Sequence, residues 1–202
     1  GLIESESNLS HEGTCCVSGS ARVFGSAQVF DSARVFGSAR VFDSAQVSGW
    51  ARVSGSAQVY ASARVFDSAR VYDSAQVCDS AQASGSARVS GWAQVSGDAD
   101  LSKPEHLLTA LVQASGMYYS TLARTRDGHR LAVGCWDDGG VDEFEQMILS
   151  DEWVKADAAT RELRRPELLA FVAMCRARIA SWGDRTAGAT GISWPRSGEL
   201  GS

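Results

Sequence analysis

From Val17 to Leu101 an aliphatic residue returns at every sixth position without one insertion, fifteen slots in register. All are Val except Ala83 and Leu101. Two residues before each slot the side chain is small, Cys15 once and then Ala at every such position from 21 to 99. The unit is A-[R/Q]-V-x-[G/D]-[S/W]. In an extended A-[R/Q]-V triplet the first and third side chains share one face and the second takes the other. Val and Ala are therefore expected inside and Arg or Gln outside. The x-[G/D]-S that follows carries turn-prone residues, so each hexad predicts a short strand and a corner. Six residues cannot bury a face alone, and stacking in a solenoid turns such units into a continuous core.

This wording of the hexad resembles the hexapeptide-repeat, left-handed β-helix proteins of the LpxA-like superfamily, and within it the YdcK-like, non-transferase branch. The resemblance covers about residues 15–102 and implies three hexads, 18 residues, per triangular coil. Residues 17–101 then make nearly five coils, a prism roughly 24 Å tall at about 4.8 Å per rung. Residues 1–14 are expected to form an N-terminal cap segment. The expected fold is an all-β solenoid followed by a small α+β domain.

Reading every eighteenth position displays the outer faces. One carries Arg34, Arg52, Arg70 and Arg88 in line; a second carries Arg22, Arg40, Gln58, Gln76 and Gln94; the third carries Gln28, Gln46, Arg64, Gln82 and Asp100. Like charges about 5 Å apart repel, so the four-arginine ladder either takes anions or is offset by acids beside it. Asp31 and Asp67 lie three residues before Arg34 and Arg70, and residues 17–101 hold seven Arg against seven Asp, which favours a compensated, solvated face. The alternative is a binding face for phosphate, nucleic acid or a partner's carboxylates. The residue after each aliphatic slot forms columns of aromatics: Phe24, Phe42 and Tyr60 in one, with Phe30, Phe66, Phe36 and Tyr72 in the neighbouring ones. A narrow Val/Ala interior has no room for them, so they are expected outside, either covered by the chain's own N-terminal segment or forming a subunit interface.

After Ser102 the period stops, and Leu, Met and charged residues replace Val, Ser and Ala. Asp127–Gly128 between YYSTLARTR and HRLAVGCW predicts a two-residue hairpin. EHLLTALVQ reads as a strand turning at Ser115–Gly116; the alternative is a helix opened by Ser102–Lys103–Pro104–Glu105. VDEFEQMILSDEW predicts a short helix, and Pro166 at a first helical turn opens a longer one with Leu168, Val172, Cys175, Ile179 and Trp182 on one stripe. Residues 183–202 suggest a loose tail. The runs RTRDGHRLAVGCWDDGGVDEF and RRPELLAFVAMCRARIASW resemble an uncharacterised domain of actinobacterial and phage proteins, which implies a β-meander followed by helices in residues 103–182 and carries no activity. This domain is expected to cover the unpaired edge of the last coil.

Hexapeptide acyltransferases use a coil His as general base, and the related γ-class carbonic anhydrases bind zinc through coil His. Here the three His are His11, His106 and His129, none within the repeat, so both activities lose their central group. His129 and Cys135 share a strand face but lie roughly 20 Å apart, too far for a dyad; Cys135 is expected in the core and His129 at the hairpin flank. The acids Asp137, Asp138, Asp142, Glu143 and Glu145 lack the spacing of a calcium loop and suit a helix N-terminus. No catalytic residue, cofactor or metal is therefore expected. Nineteen Lys and Arg against 24 Asp and Glu leave a net charge of −5, which disfavours nucleic acid. No run is long and apolar enough to span a bilayer, the opening GLIESESNLS is unlike a secretory signal, and five scattered Cys suit a reducing compartment. The sum of these features predicts a cytoplasmic, non-catalytic scaffold that forms a homo-oligomer and binds, if anything else, an acidic protein surface or a small anion.

Overall fold

The computed structural model describes residues 1–114, 116–150 and 156–183. The expected turn residue Ser115, the end of the segment 141–153, the tail at 184–202 and the side chain of Asp138 lie outside the described residues. Two-residue strands of the repeat stack in parallel at a spacing of 18, building a β-solenoid of about six coils with three sheets. One sheet runs from Leu2–Ile3 through Arg22–Val23 to Gln94–Val95, a second from Leu9–Gly13 to Asp100–Leu101, and a third from Cys16–Val17 to Arg88–Val89. Every Ala and aliphatic slot from Ala21 to Leu101 is at most 1% exposed, as the alternation requires.

The corners show why the fifth hexad position favours Gly and Asp. From Gly19 to Gly97 all its backbones are left-handed, with φ between 53° and 71°, a region that Gly enters freely and Asp tolerates. Ala61 stands there too, at φ 56°. Each Asp of this column also sends a carboxylate one coil onward. Asp31, Asp43, Asp67, Asp73 and Asp79 accept from the N–H groups of Gly49, Ala61, Gly85, Gly91 and Gly97 at 3.0–3.1 Å.

Residues 1–14 do more than cap. Leu2–Ile3 pairs with Arg22–Val23 and Leu9 with Val29, so this segment forms the first coil and raises the total from nearly five to about six. It does so without the hexad. Buried Asn8 donates its side-chain amide to the carbonyls of Gly25 and Ala27, at 2.9 and 2.8 Å, satisfying acceptors that an irregular backbone leaves behind. Glu4 plays the part of a corner Asp by accepting from Gly25 N–H.

The second unit is a four-stranded antiparallel sheet, β1 (Leu107–Gln113), β2 (Met117–Arg124), β3 (His129–Val133) and β4 (Trp136–Gly139), with helices α1 (Val141–Leu149) and α2 (Ala158–Ala180). The strand reading of 107–113 holds and a hairpin forms between β2 and β3, but the register Arg124↔His129 and the bond from Thr125 N–H to the Gly128 carbonyl centre its two-residue loop on Arg126–Asp127, one residue before the expected Asp127–Gly128. The sheet lies between the solenoid end and the helices, and its two faces divide by parity. Ala123 enters the solenoid core, Thr121 accepts from Gln94 N–H of the last coil at 3.1 Å, and Ala99 bridges Thr125. On the other face Val112, Leu122, Leu131 and Val133 pack with Phe144, Ile148, Leu168 and Val172. The cap sheet therefore lies against the ends of two of the three solenoid sheets, at Gln94–Val95 and Asp100–Leu101.

Two expectations fail here. Pro166 does not open the second helix: Asp157 caps it, accepting from Thr160 N–H at 2.7 Å, and Pro166 sits inside. Cys135 is exposed, because β3 ends at Val133 and Gly134 turns the chain at φ 61°. The helical stripe holds, with Leu168, Val172 and Cys175 buried and Ile179 and Trp182 packed against the same core. No helix among the described residues is long and apolar enough to cross a membrane.

Candidate functional site: an arginine and aromatic face

Arg34, Arg52, Arg70 and Arg88 pair rung on rung along the third sheet, each exposed, and Cys16 stands at the foot of the ladder opposite Arg34. Adjacent guanidiniums at this spacing repel by roughly 1 kcal/mol even in water. The offset expected from Asp31 and Asp67 takes another form. Their carboxylates are directed along the solenoid onto Gly49 and Gly85, and among the described residues no ion pair joins any of the four arginines to an acid. The acids neutralise the field at long range and leave the guanidinium donors open.

The aromatics lie outside the Val/Ala core, all half-buried except exposed Phe36. Phe24, Phe42 and Tyr60 form a continuous stack with ring centroids 5.0 Å apart and planes within 3° of parallel. Cys78 continues the column, and its hydrogen bond with Tyr60, with burial behind it, pushes the Tyr60 phenol up to about 12. Burial likewise raises the Cys78 thiol. Arg64 lies over the Phe66 ring at 5.6 Å. Phe30 and Phe66 are separated by Ser48, and Phe36 and Tyr72 by Ser54, so neither neighbouring column is continuous.

The Phe36–Ser54–Tyr72 column borders the arginine ladder. Together they enclose a groove of about 300 Å³ lined by Phe36, Arg52, Ser54, Arg70, Tyr72 and Arg88, with Gly55 and Asp73 completing the wall. Arg34 falls outside it. The arginines and rings were legible in sequence; Ser54 was not, because its importance is the side chain it lacks. Its signal was available in the eighteen-residue reading, as a small residue between two large ones.

Apart from His11, the histidines and the described acids singled out in the second unit have structural partners. His11 stands in the first coil, so the solenoid does contain one imidazole, and it is exposed. His106 is 6% exposed and accepts from Ser102 N–H through Nδ1, with Trp182 at its edge. Burial, aided by Arg124 and Lys103, holds it below its ordinary value of 6.5. His129 accepts from Val141 N–H at the start of α1 at 3.0 Å. Arg130 grips Asp137 with two bonds of 2.8 Å, and Arg176 reaches from α2 to Asp142 at 2.6 Å and Glu145 at 2.5 Å, holding both carboxyls below their usual range. Glu143 accepts from Gly140 N–H. Among the described residues no group of three or more His, Cys, Asp or Glu is placed to hold a metal ion.

A third surface, missed in the sequence, lies where the cap overhangs the last coil. Trp92 stacks on Tyr119 at 5.5 Å, beside Met117 and Leu111, the last paired directly with Tyr119. These four side chains are 50–64% exposed. They form a contiguous apolar patch on the solenoid-facing side of the sheet, beyond the edge of the prism.

No curated protein and no solved structure matches the chain. The family model described as the YdcK beta solenoid repeat matches residues 45–61, nearly one full coil in the centre of the prism, and the chain is similar to that repeat there.

Proposed function

We propose that the protein is a non-catalytic, cytoplasmic scaffold, a binding and assembly module that forms a closed homo-oligomer. The observation that carries this reading is the exposed apolar overhang of Leu111, Met117, Tyr119 and Trp92, of a kind that monomeric proteins keep small. The cap argues for a dimer or trimer over an open filament, because it stands against two of the three sheets at the end where another copy's first coil would have to stack. The aromatic columns offer a second contact of the same kind. The resemblance of the C-terminal unit to actinobacterial and phage proteins, read from the sequence alone, supports a role in an assembly of such proteins. Light scattering and native mass spectrometry test the reading. The wild type should be a dimer or trimer at micromolar concentration, and Leu111→Ser/Met117→Ser should become monomeric with its melting temperature unchanged. A wild type that stays monomeric at high micromolar concentration overturns it.

A second reading is supported by the unpaired arginines: the ladder binds anions on a rigid comb of guanidiniums, with nucleic acid disfavoured by the overall charge of −5. Submicromolar, salt-sensitive binding of DNA or RNA that is lost in Arg52→Glu/Arg70→Glu would reverse that preference.

A further inference from the structure

We propose that the groove between Phe36 and Tyr72 is a binding slot for a small aromatic anion, a flat ring joined by a short linker to a phosphate or carboxylate. The proposal rests on the anion-binding reading of the ladder and adds a site, a ring position and a ligand class to it.

The continuous column supplies the measure. Phe24, Phe42 and Tyr60 stack at 5.0 Å per coil with nearly parallel planes. Phe36 and Tyr72 occupy equivalent positions two coils apart, so about 10 Å separates their rings, with Ser54 where the middle ring would stand. A planar group inserted over Ser54 sits about 5 Å from each ring, inside the 4.5–7 Å range of aromatic pairs. The guest would supply the ring that this column lacks. Phe36 is 38% exposed, so the slot is open to solvent on that side.

Charge sets the rest of the ligand. Arg52 and Arg70 line the groove on the same rungs as Ser54 and Tyr72, two residues upstream, which places the anionic group about 7 Å along the sheet from the ring. Arg88 adds a third guanidinium. One acid, Asp73, shares the lining, and an oxygen of its carboxylate is held by Gly91 N–H at 3.0 Å. Three cations face one anion, so the groove favours a negative guest. Adjacent guanidiniums can each donate to one phosphate or carboxylate, and their mutual repulsion falls when it binds.

Isothermal titration at low salt tests this with four probes: AMP and indole-3-acetate as ring-bearing anions, inorganic phosphate and acetate as their ringless counterparts. AMP should bind at least tenfold tighter than phosphate, or indole-3-acetate tenfold tighter than acetate, and whichever pair shows the gain identifies the preferred anionic group. Ser54→Phe should fill the slot with the protein's own ring. It should abolish that gain, leave phosphate binding unchanged, and fold as the parent does, since three rings in succession already occur in the first column. Tyr72→Ala should remove the same gain from the other side, and Arg52→Ala/Arg70→Ala should weaken ringed and ringless probes alike by tenfold or more. Equal affinity for ringed and ringless anions, or undiminished AMP and indole-3-acetate binding in Ser54→Phe, overturns the slot while leaving the ladder as an anion site. Failure of all four probes overturns both.

Discussion

Replacing Val53 with Asp tests the inward assignment where the solenoid is most regular. Val53 is fully buried, paired with Val35 below and Val71 above, and the inner lining around it is Ala and Val from all three sheets. Losing the buried Val side chain costs about 1.5–3 kcal/mol. No polar partner lines this interior, so the carboxyl must enter neutral. Holding a group of ordinary pKa about 3.9 protonated at pH 7 costs about 4 kcal/mol, at 1.36 kcal/mol per unit. The neutral carboxyl without partners adds about 1–3 kcal/mol. The loss approaches about 7–10 kcal/mol, comparable with the whole stability of an ordinary domain. The pH dependence identifies the cause. The folded-state pKa of the introduced carboxyl would be raised, so the protonation penalty is small near the unfolded value and grows as pH rises above it. Moving from pH 7 to about 4.5 should return roughly 3 kcal/mol to the variant relative to wild type. Urea unfolding followed by far-UV circular dichroism at both pH values measures this. A variant that unfolds with the parent at pH 7, or whose deficit is the same at pH 4.5, would refute an enclosed, partnerless Val53.

Ala61 carries a side chain in left-handed backbone, so Ala61→Gly should relieve about 1–2 kcal/mol of strain against about 0.5–1 kcal/mol of lost chain entropy, raising the melting temperature by about 1–4 °C. Gly55→Ala should do the opposite, because its Cβ would meet the Asp73 backbone at 2.8 Å; a lower melting temperature for Ala61→Gly, or a higher one for Gly55→Ala, counts against this account of the corners. His106 is held neutral below its ordinary value of 6.5, so its contribution is present above that pH and is lost as pH falls toward the folded-state value. Wild type should therefore lose stability as pH falls below about 6.5 relative to His106→Asn, whose side-chain oxygen can still accept from Ser102 N–H, and parallel curves would show that burial of this imidazole carries no proton linkage.

The repeat determined its own architecture. Each hexad meets the same neighbours 18 residues away, so one local pattern, repeated, states which side chains face in, where the corners fall and which arginines align. That is why the buried Ala and Val, the ladder and the aromatic columns were all legible, and why the hairpin between β2 and β3, a local signal, was too, to within one residue. Legibility ended where the partner was neither local nor periodic. The first coil closes through Asn8 and Glu4 reaching carbonyl and N–H groups 17–21 residues ahead, an arrangement with no hexad to announce it. The acids before and within α1 are held by Arg130 and by Arg176, the latter 31 and 34 residues further on. Helix α2 runs through Pro166 because packing of Leu168, Phe171, Val172 and Cys175 outweighs one missing backbone donor. The candidate groove divides in the same way. Phe36, Tyr72 and the arginines follow from position in the repeat, but a space exists only between placed surfaces, and it took the stacked coils to turn Ser54 from one small residue among many into the floor of a slot.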